Sequence, residues 1–346
     1  MYDGMPRPFA LPDTGPGRRA LRTAGAVAAL AAVLLTGCGA PGAPRQDKPA
    51  AAAADGFPLT VENCGVRTTY EAPPSRVVTI HQHPAELLLS LGLKDRMIGT
   101  AFPDSAVLPG LSEDFAAVPE LSAKEPSFEK ILDAEPDFVY GGYASAFAEN
   151  DGRSREAFAD AGIDTYLNRE YCGKKKVSMQ DVYDEIDTIG GLFGVRDRAD
   201  ALVADLRGRV RTATAEVDGE RETPVFVYDS GDKSAFTAGG RSLGTEIIRL
   251  AGGRNVFADL DDVFGDVSWE QVVARRPEVI AIYDYAGAGS VEQKKEFLLA
   301  EPALADVPAV RNKRFVVLPL TATLVGVRAP RAVEDLARDL HPQRFR

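Results

Sequence analysis

From residue 76 onward the apolar positions follow two rhythms in alternation. Short apolar runs, of the length that crosses a buried sheet, give way to stretches where apolar residues recur every three or four positions, as on a helix with one buried face. The runs predict strands at 76–80, 96–102, 137–140 and 164–167. The periodic stretches predict helices at 84–91, 128–134 and 154–161. Between 179 and 193, Val182, Ile186, Ile189 and Phe193 form an apolar row at helical spacing. Beyond Gly194, the stretch 196–217 is charged, rich in Ala, Leu and Val, and free of Gly and Pro apart from Gly208. At about 1.5 Å per residue that helix is ~30 Å long, the width of a small domain. Strand–helix alternation resumes at 224 and continues to 320, and a helix at 332–340 closes the chain. Such alternation predicts an α/β protein.

One pattern of thirteen residues occurs twice, 141 positions apart, at 127–139 and 268–280. Each copy starts with Ser127 or Ser268, continues with an aromatic residue and Glu129 or Glu270, and passes through a short apolar helix. A Pro–acid step (Pro136-Asp137, Pro277-Glu278) and an apolar strand follow. Serine accepts a bond from first-turn amides, Glu favours the positive helix end, and Pro stops the helix. The stretches 86–92 and 246–252 match in the same sense, each an apolar helix ending in Gly. The chain therefore reads as two similar α/β lobes, 57–195 and 220–346, joined by one backbone helix at 196–219. A ligand cleft is expected between them. A single rigid connection predicts a hinge motion of a few degrees, not a wide closure.

Composition adds the compartment. Arg18, Arg19 and Arg22 precede an apolar stretch at 24–35 that ends in Leu35-Thr36-Gly37-Cys38. This is a secretory leader, too short to span a membrane. Leu-Thr-Gly-Cys resembles the bacterial lipobox, in which the cysteine receives lipid, here Cys38, and becomes the first mature residue. Residues 1–37 are then the signal peptide and 38–56 a flexible tether. Removing 1–37 takes away four Arg and two Asp, leaving 36 basic against 49 acidic residues. That balance disfavours nucleic acid as a partner. Cys64 and Cys172 remain after Cys38, and in an oxidising compartment an even pair reads as a disulfide, with free thiols or a metal pair as the rival.

Ligand contacts in open α/β sheets come from loops at the carboxyl ends of strands. In lobe one these ends carry His81, Gln82, Phe102, Asp104, Lys124, Glu125, Tyr143 and Tyr171. In lobe two they carry Tyr228, Asp229, Phe236, Phe264, Tyr283, Tyr285, Thr321 and Arg328. Rings with a polar tip suit a large, amphipathic, partly planar ligand, and Arg328 and Lys124 could pair with its carboxylates or with an anionic iron chelate. His81 and His83 do not suffice for a bare metal ion, because the only later histidine is His341, in the tail. No resident metal or cofactor is expected. Gly240-Arg241-Ser242-Leu243-Gly244 spells a nucleophile elbow, but no strand directly precedes it and no base follows except His341, so a turn into a helix is expected there and not an enzyme.

Taken in order, Arg76-Val77-Val78-Thr79-Ile80 followed by Glu86, then Gly99-Thr100, the repeat pair, Phe236-Thr237-Ala238-Gly239, and Pro319-Leu320-Thr321 before Arg328 resemble one family. It is the group of ABC-transporter substrate-binding proteins that take up ferric siderophores, haem and cobalamin, with a single helical backbone between lobes. The resemblance covers residues 57–340. It implies an importer permease and its ATPase as partners, with Glu129 and Glu270 projecting from the lobes to dock on permease arginines. The other reading is that both glutamates merely favour helix N-termini. A ferric siderophore is the expected cargo, with iron present only as part of the chelate. Glu62-Asn63-Cys64-Gly65 and Val267-Ser268-Trp269-Glu270 are similar to members proposed to import a deazaflavin-cofactor precursor, and cobalamin is the further alternative.

Overall fold

The computed structural model describes residues 56–103, 105–287 and 289–345; the leader at 1–37, Cys38, the tether up to 55 and Asp104 lie outside them. An antiparallel hairpin of β1 (Leu59–Asn63) and β2 (Val66–Tyr70) opens the fold. The first lobe is built on β3 (Val77–Ile80), β4 (Met97–Ala101), β5 (Glu120–Ser122), β6 (Phe138–Gly141) and β7 (Asp164–Leu167). They form a wholly parallel sheet in the order β5-β4-β3-β6-β7. The second lobe holds β8 (Thr223–Tyr228), β10 (Gly253–Asn255), β12 (Val279–Asp284) and β13 (Phe315–Pro319), parallel in the order β10-β8-β12-β13. A separate antiparallel ribbon pairs β9 (Ala235–Ala238) with β11 (Phe264–Val267).

Residue parity divides each sheet into two faces. In lobe one, Val78, Ile80 and Val139 pack outward on Ile131, Phe147 and Phe158, whereas Val77, Phe138 and Tyr140 point to the inner side. In lobe two, Phe226, Tyr228, Ile280 and Ile282 pack outward on Trp269, Val272 and Leu298, whereas Val225, Val227, Val279, Ala281 and Tyr283 point inward. The two inner faces share one apolar core, filled by the helices Gln82–Ser90, Met179–Leu192, Arg196–Glu216, Leu243–Leu250 and Ala329–Leu340. Each fully buried Leu, Ile or Phe in that layer contributes roughly 1.5–3 kcal/mol. The lobes are thus coupled by a common core as well as by the connecting helix, and the described residues form one compact unit.

The connecting helix buries Ala199, Val203, Leu206, Val210 and Ala213, a stripe at three- and four-residue spacing. It runs unbroken through Gly208. Close packing against Met179–Leu192 needs Gly190, because a Cβ there would lie 2.3 Å from the Cβ of Ala199. The duplicated segment folds alike in both lobes. Ser127 accepts from the Lys130 N–H at 3.2 Å and Ser268 from the Gln271 N–H at 3.3 Å, capping Phe128–Leu132 and Trp269–Arg275. Glu135 and Arg276, again 141 apart, both take the left-handed conformation (φ 51° and 47°) directly before proline. Proline disfavours the helical region at the residue before it, so neither helix continues into that position.

The hairpin is fastened to the edge of the first sheet. The Asn63 amide donates to the Leu167 carbonyl and accepts from the Leu167 N–H, both at 2.8 Å, so one side chain imitates a strand partner. Arg155 donates to the Asn63 carbonyl at 2.7 Å, and Cys64 is joined to Cys172 by a disulfide. This crosslink closes a loop of 108 residues in sequence. Replacing both cysteines (Cys64→Ser with Cys172→Ser) is therefore expected to lower unfolding free energy by about 2–5 kcal/mol in a urea titration. An unchanged midpoint would mean that Asn63 and Arg155 hold the hairpin unaided.

Candidate functional site

Because the main sheet of each lobe is wholly parallel, its loops gather at one carboxyl edge. The segment after β13 runs from the second lobe onto the first. Thr321 Oγ1 lies 3.0 Å from Ser105 Oγ, the Val325 N–H donates to Glu170 Oε2 at 2.9 Å, and Asn168 Nδ2 donates to the Val325 carbonyl at 2.8 Å. Gly326 passes over His83, leaving 3.4 Å between an added Cβ and that of His83. The carboxyl edges therefore meet across a cleft whose floor is residues 321–328.

One ion pair anchors that floor. Arg328 Nε donates to Glu86 Oε2 at 2.6 Å, and its Nη2 donates to Glu86 Oε1 and, at 2.6 Å, to the Ala106 carbonyl. Glu86 Oε1 also accepts from Gln82 Nε2 at 2.9 Å and from the Leu108 N–H at 3.0 Å. Gln82 in turn accepts from the Ser105 N–H at 3.0 Å and donates to the Ala106 carbonyl. Glu86 has no exposure and the Arg328 side chain is 11% exposed. Of the residues expected at the ligand, Thr321 and Arg328 are engaged between the lobes, and Gln82 is held within the first lobe by Glu86, Ser105 and Ala106. The physical reason is the uncompensated carboxylate of Glu86, which could not be buried without a cation.

The lobe-one wall is aromatic. His81 sits at the end of β3 in a backbone region that side chains rarely adopt (φ 76°, ψ 161°), and Phe102 at the end of β4 is also left-handed (φ 55°). Strain of this kind costs about 1–3 kcal/mol and concentrates at functional sites. His81 is fully buried, with its ring 4.4 Å from Tyr143 and 5.4 Å from Phe102; Tyr143 lies 5.8 Å from Tyr171. Nδ1 accepts from the Tyr143 N–H at 3.2 Å, so Nε2 carries the proton and donates to Glu125 Oε1 at 3.1 Å. Glu125 also accepts from Ser145 Oγ and, at 2.9 Å, from Arg153. The His81 bond, with Ser145 and Arg153 behind it, holds the Glu125 carboxyl below the usual range. His81 thus supports the platform from beneath, while Phe102, Tyr143 and Tyr171 are half-exposed and Lys124 is exposed on the following turn. His83 donates to the Gly142 carbonyl at 3.1 Å, and burial pushes its pKa down to about 3, with His81 adding to the effect. Among the described residues no group of three or more His, Cys, Asp and Glu could hold a metal ion.

On the lobe-two wall, Phe236 and Phe264 stack at 5.6 Å and 15°, both half-exposed on the ribbon. The Tyr285 hydroxyl donates to Asp229 Oδ1 at 2.6 Å, and Lys294 Nζ donates to the Tyr283 carbonyl at 2.6 Å while lying 4.9 Å from the Tyr285 ring centre. Two of the expected tyrosines lie elsewhere. Tyr228 has outward parity and packs with Trp269 and Phe297, donating to the Gly231 carbonyl at 2.7 Å. Tyr283 is buried in the inner core, its hydroxyl against Gly244. Standing at a strand's carboxyl end does not place a side chain in the cleft; parity decides the face. Ser242 of the nucleophile-elbow pattern is a buried helix cap, donating to the Gly239 carbonyl at 2.9 Å and accepting from the Thr245 N–H at 3.1 Å. Glu129 and Glu270 are exposed in the first turns of the two repeat helices. The Glu129 carboxyl is kept low by its own N–H and Ser127, and that of Glu270 by Ser268 and its own N–H. Arg153, Asn168, Glu170 and Lys294 carried no pattern that singled them out in the sequence.

Residues 77–322 match the family model described as periplasmic binding protein. An uncharacterized ABC transporter substrate-binding lipoprotein of Bacillus subtilis is 26% identical over 92% of this chain and 96% of its own length. A cobalamin-binding protein of Halobacterium salinarum is 27% identical over 82% of this chain and 73% of its own. The solved structure of an ABC-type Fe3+-hydroxamate transport system protein from Saccharomonospora viridis is 28% identical, with a TM-score of 0.71 over 82% of this chain and 99% of the other.

Two outcomes test the geometry. Arg328→Ala should cost about 3–5 kcal/mol in urea denaturation, since it strands the buried Glu86 charge, and Glu86→Leu with Arg328→Met should recover most of it. A loss below ~1 kcal/mol would return Arg328 to the list of ligand contacts. The second concerns Glu185, which accepts from Tyr140 and Tyr166 hydroxyls at 2.5 and 2.9 Å and which burial raises from 4.5 to about 7. Its folded form keeps a proton that the unfolded chain releases, so its stabilising contribution is full below pH ~4.5 and is lost as pH rises to ~7. Relative to the native protein, Glu185→Gln should therefore gain stability through that window, by at most about 1.4 kcal/mol per pH unit. Parallel stability–pH curves would place that carboxyl in an ordinary environment.

Proposed function

We propose that this chain, which belongs to the periplasmic binding protein family and is the substrate-binding protein of an ABC transporter, carries a ferric siderophore between its lobes while a lipid on Cys38 holds it at the outer face of the cell membrane. The observation that carries the reading is a cluster of half-exposed rings in each lobe: Phe102, Tyr143 and Tyr171 about the buried His81 in the first, and the stacked Phe236 and Phe264 in the second. Rings on both sides grip a bulky, partly planar chelate through area, and Tyr hydroxyls meet its polar rim. The Saccharomonospora relative, named for Fe3+-hydroxamate transport, supports the iron reading. Among the described residues no helix is long and apolar enough to cross a membrane.

Cobalamin is the second reading, favoured by the Halobacterium relative and by the same aromatic walls, which suit a corrin face. Of the stretches that pointed to a deazaflavin precursor, Asn63 and Cys64 fasten the hairpin and Trp269 fills the outer core. For delivery, Glu129 and Glu270 present one carboxylate from the equivalent helix of each lobe, as a two-fold permease would require.

A thermal-shift panel of ferric chelates, their iron-free forms and cobalamin tests the cargo. A ligand at a hundred times its Kd adds about 2.7 kcal/mol. A shift with a ferric chelate that is absent without iron is expected; a response to cobalamin alone would transfer the assignment. Tyr143→Ala and Phe264→Ala should each weaken the cargo by about tenfold, read by titration calorimetry. Glu129→Ala with Glu270→Ala should leave Kd unchanged and abolish uptake in cells, and loss of binding instead would move these glutamates from docking to the ligand.

A further inference from the structure

The segment 321–328 is tied to lobe one at its start, middle and end. Thr321 meets Ser105 through hydroxyls, and Arg328 meets Glu86 through a charge-assisted pair. The middle tie grips one residue by both its backbone groups. Asn168 Nδ2 donates to the Val325 carbonyl at 2.8 Å, and Glu170 Oε2 accepts from the Val325 N–H at 2.9 Å. Unlike Glu86, Glu170 is buried without a bonded cation among the described residues. The cations beside it are engaged elsewhere, Arg169 with Asp184 at 3.7 Å and Lys175 with Asp181 at 2.5 Å. What faces Glu170 is acidic: Glu185 and Asp181 from the helix Met179–Leu192, both buried, and the phenol of Tyr283 from β12.

Two interacting carboxylates in a buried place keep a proton between them. The donors decide where it stays. Glu185 accepts from the Tyr140 and Tyr166 hydroxyls and from the Arg169 N–H, whereas the Val325 N–H is the donor at Glu170. Charge therefore settles on Glu185 and the proton on Glu170. Burial, with Glu185 and Asp181 adding, raises the Glu170 carboxyl from 4.5 to about 7 against the pull of the Val325 bond. Burial keeps the phenols of Tyr140, Tyr166 and Tyr283 protonated, and Asp181, which burial raises, is brought below its usual range by Lys175 and Ser178. Titration around this tie near neutrality thus belongs to Glu170 and Glu185. We propose that Glu170 is a proton-operated latch between the lobes: protonated, it stays buried and holds Val325; ionised, it turns out to water and releases the segment. The way out is short, since Arg169, Tyr171 and Cys172 are half-exposed and residues 173–176 are exposed. The latched carboxyl binds its proton more tightly than a carboxyl in water. Its contribution is therefore full below pH ~4.5 and is lost as pH rises through ~7. At the outer face of a cell, the acidity of the medium would set how firmly the lobes are joined, whatever the cargo.

The test needs no cargo. Amide hydrogen–deuterium exchange of the purified protein, read by mass spectrometry between about pH 5 and pH 8, gives the protection of residues 321–328 once the intrinsic exchange rate at each pH is divided out. The core strand β8 serves as the internal reference. Protection of 321–328 is expected to fall by about tenfold or more across that range while β8 changes by less than about threefold. Glu170→Gln keeps an acceptor for the Val325 N–H but cannot ionise, so its 321–328 protection should stay level. Should that variant fail to fold, Glu185→Gln removes the opposing charge and should shrink the fall by about threefold or more. Level protection in the native protein would overturn the latch. So would an equal fall in β8, which would mean loosening of the whole molecule, or an undiminished fall in both variants, which would place the titrating group elsewhere.

Discussion

The Glu86–Arg328 pair is the constraint on which the arrangement of the lobes depends. A carboxylate with no solvent exposure must be matched inside the protein, and its cation comes from the other half of the chain, 242 residues away. Meeting that requirement draws the segment after β13 across lobe one, where Asn168 and Glu170 clasp Val325 and Ser105 meets Thr321. The loop at 105–108 is fixed by the same carboxylate through Leu108 and by Gln82. The path of residues 321–328 between the lobes is therefore a consequence of where one charge was buried.

The walls are organised by a second rule, that strands expose alternate residues to opposite faces. Tyr228 and Tyr283 occupy comparable places at the ends of paired strands, yet one belongs to the outer core and the other to the inner. The rings of the lobe-one wall, Phe102, Tyr143 and Tyr171, lie beyond strand ends, where parity no longer governs direction and turns take over. Backbone strain at His81 and Phe102 is what brings their rings together above Glu125. Local cost is accepted there because the surrounding bonds from Ala101, Tyr143 and Glu125 hold the conformation.

Much of this was legible from pattern alone. Short apolar runs and period-3.6 spacing placed the major strands and helices within a few residues, including the connecting helix, seen at Arg196–Glu216 and predicted at 196–217. The repeat was visible because the same cap, Pro and acid are needed wherever a short helix turns into a strand. What pattern could not supply was partner identity. Arg328 reads equally well as a ligand anchor or as a counter-charge, and only the buried position of Glu86 distinguishes them. Ribbon and hairpin were missed because β9, though mostly buried, is only four residues long, and β1, β2 and β11 are short and partly exposed, with too little apolar periodicity to stand out from loop. Arg153 and Lys294 were invisible for a related reason: a cation buried by long-range pairing looks, in sequence, like any surface charge.

The helical layer shared by both sheets has a consequence for the history of the chain. Two copies of an ancestral unit would each have closed their own inner face, but here Val77 and Phe138 of one half and Val225 and Val279 of the other belong to one continuous core. Neither half now owns a complete interior. Cutting the chain between them would uncover apolar surface on both fragments at once, so the halves gain or lose order together, and a duplication that began as two modules has become a single cooperative object that cannot be divided again.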